Sequence, residues 1–476
     1  MTIIEFMRDP LLGGKVFKDL ATWGNWFVVL RAIFALPMMD AELEVYRRLT
    51  GRQHPPPRQI REFWGRFGRG AGKSMIAAWI VVFLACFRQY GLSPGEQGIV
   101  MMIASDRRQA KIVLGYINGI IDAIPMLSRL VMRRTSEAIH LSNEIVIEIH
   151  TSSYRAVRGY SVVCCIADEA CFWRSEDSAN PDVEVIGAIR PGLVKVPGSL
   201  LVVLSSPWGR QGAMWQTQEK YLGEEDEDIL CMVGTSHDMN PTVDGAAIRR
   251  AYKLDPVAAA SEYGAEWRSD VSAFLDPEVV REAVAAGRHE LLPADGVSYR
   301  SFCDMAGGSG KDAAAVAVAH EQDGVRVLDA LRIVRPPFSP ERTIEEFSAF
   351  LKMYRIRSVT ADKFAGEFPR EIFRKFGIEY RAASRTKSEI YLEFLPLLNS
   401  GKVRLLDDRT LVAQLCALER KAGRNRDFVD HPPGANDDAS NAVCGVLVDL
   451  SKTKTLPGAF TVGGRRREEW MPWVPR

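Results

Sequence analysis

The residues best suited to chemistry stand first in one continuous run. Gly65-Arg66-Phe67-Gly68-Arg69-Gly70-Ala71-Gly72-Lys73-Ser74 is a glycine-dense turn that ends in Gly-Lys-Ser and passes directly into the apolar stretch Met75 to Phe87. Glycines let backbone N–H groups approach a phosphate, and a helix N-terminus adds a favourable dipole. Gly68, Arg69, Gly70, Ala71, Gly72, Lys73 and Ser74 are therefore the expected cradle for ATP, with Lys73 on the β and γ phosphates and Ser74 on Mg2+. The spacing departs from a strict G-x-x-x-x-G-K-[ST], because Phe67 stands where the first glycine belongs and Gly68 comes one position late. A glycine-rich cap over a buried helix would explain the glycines, but not a lysine and a serine at the mouth of so apolar a helix.

Two further stations occur in the first half. Val162-Val163-Cys164-Cys165-Ile166-Ala167-Asp168-Glu169 is a strand of small apolar residues ending in two acids. In a P-loop enzyme Asp168 would hold Mg2+ through water and Glu169 would polarise the attacking water. An acidic pair at a strand end is often only a helix cap, and its position downstream of Gly-Lys-Ser gives this one its weight. The apolar strand Leu200 to Leu204 ends in Ser205-Ser206-Pro207. Those hydroxyls would sense the γ phosphate and pass its loss along the sheet; an ordinary strand exit is the plain alternative.

The second half carries scattered carboxylates. Asp304 ends the short strand Ser301-Phe302-Cys303-Asp304, Asp362 ends Ser358-Val359-Thr360-Ala361-Asp362, and Asp437 and Asp438 open a helix from Ala439 to Leu450. Two strand ends and a helix start are the layout of a ribonuclease-H-like nuclease, whose acids bind two Mg2+ or Mn2+ ions about 3.5–4 Å apart. Hard divalent ions suit an all-oxygen ligand set, and no histidine is required. Each aspartate taken singly is more often a cap than a ligand. Asp312 is a possible additional ligand.

Composition bounds what can position these groups. At 476 residues the chain exceeds one ordinary core and fits two domains. Hydrophobic content of 47% and charged content of 25% are those of a globular protein. With a net charge of only +1, contact with nucleic acid must come from local patches, such as the basic residues from Arg370 to Lys387 and from Arg420 to Arg426. Eight cysteines without a C-x-x-C pair read as reduced thiols. The apolar stretch Trp23 to Met39 is broken by Arg31 and Pro37, so no signal peptide is expected, and Met75 to Phe87 falls short of the roughly 20 residues of a membrane span.

The expected architecture is α/β throughout. Residues 1–60 read as a helical lead-in ending in Pro55-Pro56-Pro57, with Gln53 and Gln59 as candidates to face adenine. Residues 61–270 alternate strands and helices as a P-loop ATPase domain with a mostly parallel sheet. Residues 271–298 read as a linker, 299–455 as an RNase-H-like α/β nuclease domain, and 456–476 as a flexible basic and aromatic tail.

This order of elements resembles the large terminase subunit of tailed bacteriophages, the motor that packages DNA into a procapsid. Arg69 falls on the arginine that family often carries inside its phosphate loop. Asp168-Glu169 matches its Walker B motif, Ser205-Ser206-Pro207 its coupling motif, and Ala104 to Ala110 its helicase-type segment. Asp304, Asp362 and either Asp437 or Asp438 match its nuclease acids; Asn436 stands where relatives often have histidine and Asn441 where a further acid is common, which leaves that choice open. The resemblance implies ATP-driven translocation of double-stranded DNA into a procapsid and Mg2+- or Mn2+-dependent endonuclease cutting of concatemeric DNA. It also implies a small terminase subunit, a portal and procapsid, and a homo-oligomeric ring as partners, no membrane, and the cytoplasm of a bacterial host as location. In such a ring Arg155 or Arg158 is a candidate for insertion into a neighbour's site. A helicase-nuclease would need a second motor lobe, for which residues 235–298 are too short. A nucleotide-switched DNA-binding scaffold would have no use for Glu169 and the scattered acids.

Overall fold

The computed structural model describes residues 1–17, 19–151, 159–173, 181–310, 312–362, 367–421, 427–432 and 434–450. Arg155, Arg158 and the tail 456–476 lie outside the described residues.

The first sheet contains β1 (Glu62–Phe67), β2 (Gly98–Ala104), β3 (Val131–Arg134), β4 (Ala138–Leu141), β5 (Ile145–Thr151), β6 (Ser161–Asp168), β7 (Leu200–Ser205) and β8 (Ile229–Gly234). Their spatial order is β3-β4-β5-β2-β6-β7-β1-β8. From β5 to β8 every pairing is parallel, and β3 and β4 turn back as an antiparallel edge. β2, β6 and β7 are buried at every position, which explains their unbroken apolar runs: central parallel strands are covered on both faces.

The helix Lys73–Phe87 comes directly after the phosphate loop and covers one face, with Ile76 to Ala85 buried continuously. It is apolar all round because the lead-in encloses it on its far side. Phe6 and Phe17 pack on Trp79 with ring centroids 5.2 and 4.7 Å away. The lead-in is thus part of the first core.

A parallel sheet collects the C-terminal ends of its strands along one edge. Because β7 lies between β6 and β1, Ser205 and Ser206 are placed between the Asp168-Glu169 pair and the phosphate loop. The same rule excludes the adenine role considered for Gln53 and Gln59. The Gln59 amide donates to the Gly198 carbonyl (3.0 Å) just before β7 begins, and the Gln53 N–H donates to Glu225 (2.7 Å) just before β8. Both glutamines lie at the opposite edge from the loop.

The second sheet begins after β9 (Val271–Ala273). It contains β10 (Arg300–Asp304), β11 (Ala314–Gln322), β12 (Val325–Val334), β13 (Ser358–Ala361), β14 (Glu379–Ala382) and β15 (Val403–Arg404), in the order β14-β13-β10-β11-β12-β15. β10, β11 and β12 form an antiparallel meander, and β13 and β14 continue parallel from β10. That order and polarity define the ribonuclease H fold. The tight turn between β11 and β12 has Asp323 and Gly324 both at positive φ (52° and 75°), as a two-residue hairpin of matching twist requires. The last helix, Asp438–Asp449, packs on β10 and β11 through small residues; a Cβ on Gly445 would run into the Phe302 ring.

Residues 271–298 do not form the expected linker. β9 pairs antiparallel with β16 (Glu419–Lys421), which also pairs with β17 (Phe428–Asp430), and Phe274, Leu275, Val280 and Ala283 enter the second core. Further on, the Tyr354 hydroxyl donates to the Leu291 carbonyl (2.7 Å). Strand pairing between segments so far apart in the chain leaves no local pattern to read. Among the described residues, no helix is long and apolar enough to cross a membrane.

Candidate active sites

The phosphate loop is shaped by glycines at positions no other residue would take easily. Gly70 and Gly72 have φ of 77° and 95°. A Cβ on Gly68 would collide with the Ser236 hydroxyl and the Tyr263 carbonyl, so the late glycine answers to packing against residues 236–263. The loop carbonyls are bonded outward: Ala71 accepts from the Trp26 indole (2.7 Å), Gly70 from Asn240 (2.9 Å) and Arg69 from the Ser236 hydroxyl (2.7 Å). Sequence reasoning missed these supports, which come from both sides of the loop and share no motif with it.

Lys73 is buried at 6% exposure, and its ammonium donates to the Ser206 hydroxyl (2.8 Å) and the Phe67 carbonyl (3.2 Å). It also lies 3.1 Å from a Glu169 carboxylate oxygen. The other Glu169 oxygen accepts from the Ser206 N–H (2.9 Å) and the Ser205 hydroxyl (3.3 Å). Glu169 sits at φ 49°, a left-handed conformation that costs a non-glycine residue on the order of 1 kcal/mol or more. Ser74 Oγ is 3.5 Å from Asp168 Oδ2, while Asp168 Oδ1 is buried without a hydrogen-bond partner. Burial, reinforced by the Glu169 charge and opposed by Lys73, pushes the Asp168 carboxyl up to about 7. An orphaned carboxylate oxygen beside a serine hydroxyl fits a Mg2+ ion. Arg69 stands on the rim, largely exposed, with its guanidinium 3.2 Å from Glu262.

The second constellation is assembled by register. Phe302 pairs with Thr360 and Cys303 with Ala361, so Asp304 and Asp362 come next at the same level of two neighbouring parallel strands. Asn441, from the last helix, bridges them, its amide donating to Asp304 at 2.7 Å and reaching Asp362 at 3.5 Å. Asp438 lies three residues earlier, close to the same helix face, and accepts from the Ala313 N–H (2.9 Å). Burial, with the charges of Asp438, Asp437 and Asp362 added and Asn441 opposing, pushes Asp304 up to about 8; burial likewise raises Asp438 to about 6. Asp312 is exposed and is one of the charges that raise Asp438. Asp362 Oδ1 and Asn441 Oδ1 are buried without a partner. Orphaned oxygens among carboxylates that resist ionising together fit hard divalent cations.

Asp437 is engaged elsewhere. It accepts from the Tyr391 hydroxyl (2.7 Å) and lies 3.0 Å from the Lys387 ammonium. Between the two sites a cavity of about 720 Å³ opens, lined by Cys171 two residues past Glu169 and by Asn436 just before Asp437.

The fold and sites define a P-loop NTPase core followed by a ribonuclease-H-like domain with an acidic cluster. No protein-family model matches the chain, and no curated protein matches it. Among solved structures it is similar to the HK97 bacteriophage large terminase, at 14% identity over 82% of this chain and 91% of that one, with a TM-score of 0.39. It is also similar to the large terminase of a thermophilic bacteriophage in complex with ATP-gamma-S (13% identity, 90% and 98% covered, TM-score 0.38). The magnesium-bound large terminase nuclease from the thermophilic phage G20c matches 37% of this chain and 98% of that one, at 15% identity and a TM-score of 0.32.

Proposed function

We propose that this chain is the ATP-driven motor of viral DNA packaging, a large-terminase-type protein that translocates double-stranded DNA into a procapsid and cuts concatemeric DNA with its own endonuclease domain. The observation that carries this reading is the pairing in one chain of two sites: a phosphate loop whose lysine already bonds the serine at the end of the neighbouring strand, and an acid cluster on a ribonuclease H sheet.

Lys73 holds the β and γ phosphates, and Ser74 with Asp168 holds Mg2+. Glu169 orients water while Ser205 and Ser206 fix its carboxylate, so a change at the γ phosphate reaches β7 through hydrogen bonds already present. The half-buried Trp23 ring lies 3.2 Å from the Cβ position of Gly72, the residue before Lys73, and we infer that it offers the base a stacking surface. Asp304, Asp362 and Asp438 hold the nuclease cations and Asn441 fixes the first two. Divalent ions bound there supply water activation and stabilisation of the leaving oxygen of a phosphodiester.

The partners of this reading are duplex DNA, a small terminase subunit and a portal on a procapsid, with a ring of copies in which Arg155 or Arg158 acts on a neighbour's nucleotide. Mixing Arg158→Ala chains with Lys73→Ala chains tests the last point: restored hydrolysis supports action in trans, and no rescue for either arginine counts against it. The whole assignment is tested by incubating the protein with empty procapsids and linear DNA. DNA should become nuclease-resistant only with ATP, and protection independent of ATP would overturn the motor.

A further inference from the structure

Beside the nuclease acids lies a second charged cluster that the proposed reaction does not use. Ligand atoms of Asp430, His431 and Asp437 all come within 4.8 Å of one another, a spacing that suits a metal ion. The Lys387 ammonium, however, is within the same cluster, 2.9 Å from Asp430 and 3.0 Å from Asp437. His431 Nε2 stands 3.7 Å from Asp437 and 3.9 Å from Asp430. The Asp437 oxygen nearest Lys387 also accepts from the Tyr391 hydroxyl (2.7 Å), which in turn contacts Ser440 (3.1 Å) on the last helix.

We propose that Asp430, His431 and Asp437 form a cation station filled by the protein's own Lys387, which takes Asp437 out of the metal-ligating set and fixes the start of the last helix. Asp437 is the N-cap residue of that helix, yet its side chain makes no capping bond. It is turned instead to Lys387 and Tyr391. The next residue, Asp438, is thereby presented to the Ala313 N–H and to Asp304. Without the ammonium, Asp430 and Asp437 would face each other, and the nuclease acids beyond them, with no fixed positive charge from the described residues between the two. Lys387 is thus a positioning residue for Asp438, and its four-carbon stem places a compact charge where an imidazole and two carboxylates would otherwise accept Mn2+. Only the consequence for cleavage rests on the nuclease reading; the cation station stands on the cluster itself.

The test counts Mn2+ bound per full-length chain by equilibrium dialysis after EDTA treatment, without nucleotide. Lys387→Met should bind one ion more than the parent, and the double variant Lys387→Met with Asp430→Asn should lose that ion again. Asp430→Asn alone should bind as many ions as the parent, because in the parent the trio holds lysine. An unchanged count in folded Lys387→Met, or one ion fewer in Asp430→Asn, overturns the proposal; the second measurement decides even if the first variant does not fold. A parent that binds no Mn2+ would sink the nuclease reading while leaving the difference between variants readable. In Mg2+-dependent cleavage Lys387→Met should fall about 10–100-fold, the range for losing a group that orients a ligand, here by holding Asp437 beside Asp438, and Lys387→Arg should restore most of it.

Discussion

The two sites gather carboxylates in the same way and balance them in opposite ways. Each uses the ends of parallel strands, β6 and β7 beside β1 in the first and β10 beside β13 in the second. At the phosphate loop a buried lysine lies 3.1 Å from Glu169, so the acid pair has its counter-charge in place before any ligand binds. At the nuclease cluster the bridging group is the neutral amide of Asn441, and the nearby ammonium of Lys387 is committed to Asp437 and Asp430. On the proposed reading the first site is pre-assembled for turnover, whereas the second would be completed by cations. Burying like charges without a partner is costly, and the rise of Asp304 to about 8 expresses that cost.

The largest effects should come from removing the built-in charge balance of the first site. Lys73→Ala should lower ATP hydrolysis by roughly the 10³–10⁵ that a cation aligned on transferring phosphoryl groups can supply, and it also strips Glu169 and Ser206 of their partner. Glu169→Gln should stop turnover while still binding a fluorescent ATP analogue, since Lys73 and the loop are intact. Near-parental hydrolysis in either variant would break the motor assignment.

Next in size is the loss of a ligand at the second site. Asp304→Asn keeps the shape and the contact with Asn441 but presents a poorer oxygen to a hard cation. Cleavage of duplex DNA should fall by more than the roughly 10–100-fold typical of an outer partner. ATP hydrolysis, and packaging of pre-cut DNA, should persist because Lys73, Asp168 and Glu169 belong to a different core. If Asp304→Asn cuts as well as the parent, the acids are caps and the comparison fails.

Legibility in the sequence divides along the same line. Lys73, Ser74, Asp168 and Glu169 sit in short local patterns whose chemistry depends on immediate neighbours, and Ser205-Ser206 ends an apolar strand that could only be central. Asp304 and Asp362 were readable as strand ends, but not their shared level, which is set by register. Asp437 and Asp438 were indistinguishable because the groups that separate their roles, Lys387 and Tyr391 on the one and the Ala313 N–H on the other, lie far away in the chain. Trp26, Asn240 and Ser236, which hold the loop, and β9, which pairs far down the chain, depend on contacts that leave no periodicity. Asn441 stood out only as a departure from an acid, although its place three residues after Asp438 puts both on one side of a helix.

A moderate effect should appear with pH. Asp304, at about 8, and Asp438, at about 6, hold protons in the folded chain that the unfolded chain has lost above about 4. The folded state then binds more protons than the unfolded one, so metal-free stability should fall as pH rises from about 4 toward 8. Divalent ions displace those protons, so Mn2+ should bind about tenfold more tightly per pH unit for each proton released between pH 6 and 8. Melting temperatures across that range, with and without Mn2+, check this. Asp304→Asn should flatten most of the metal-free slope, and Asp168, raised to about 7, accounts for a remainder that Asp168→Asn removes. A pH-independent Mn2+ affinity would place the charge balance elsewhere.

The smallest expected effect separates support of the loop from recognition of the base. Trp26 bonds the loop directly, whereas Trp23 is half-buried and packs edge-on against Phe17 with centroids 5.1 Å apart, so part of its ring remains available beside Gly72. A stacking surface acts on ground state and transition state alike, so Trp23→Ala should raise KM for ATP about 5–10-fold with kcat nearly unchanged. Trp23→Phe should recover most of the loss. Inhibition by tripolyphosphate, which has no base, should be the same in parent and variant. If tripolyphosphate weakens in step with ATP, the ring merely props the glycine behind it, and the first site owes its assembly to the lead-in without reading the nucleotide through it.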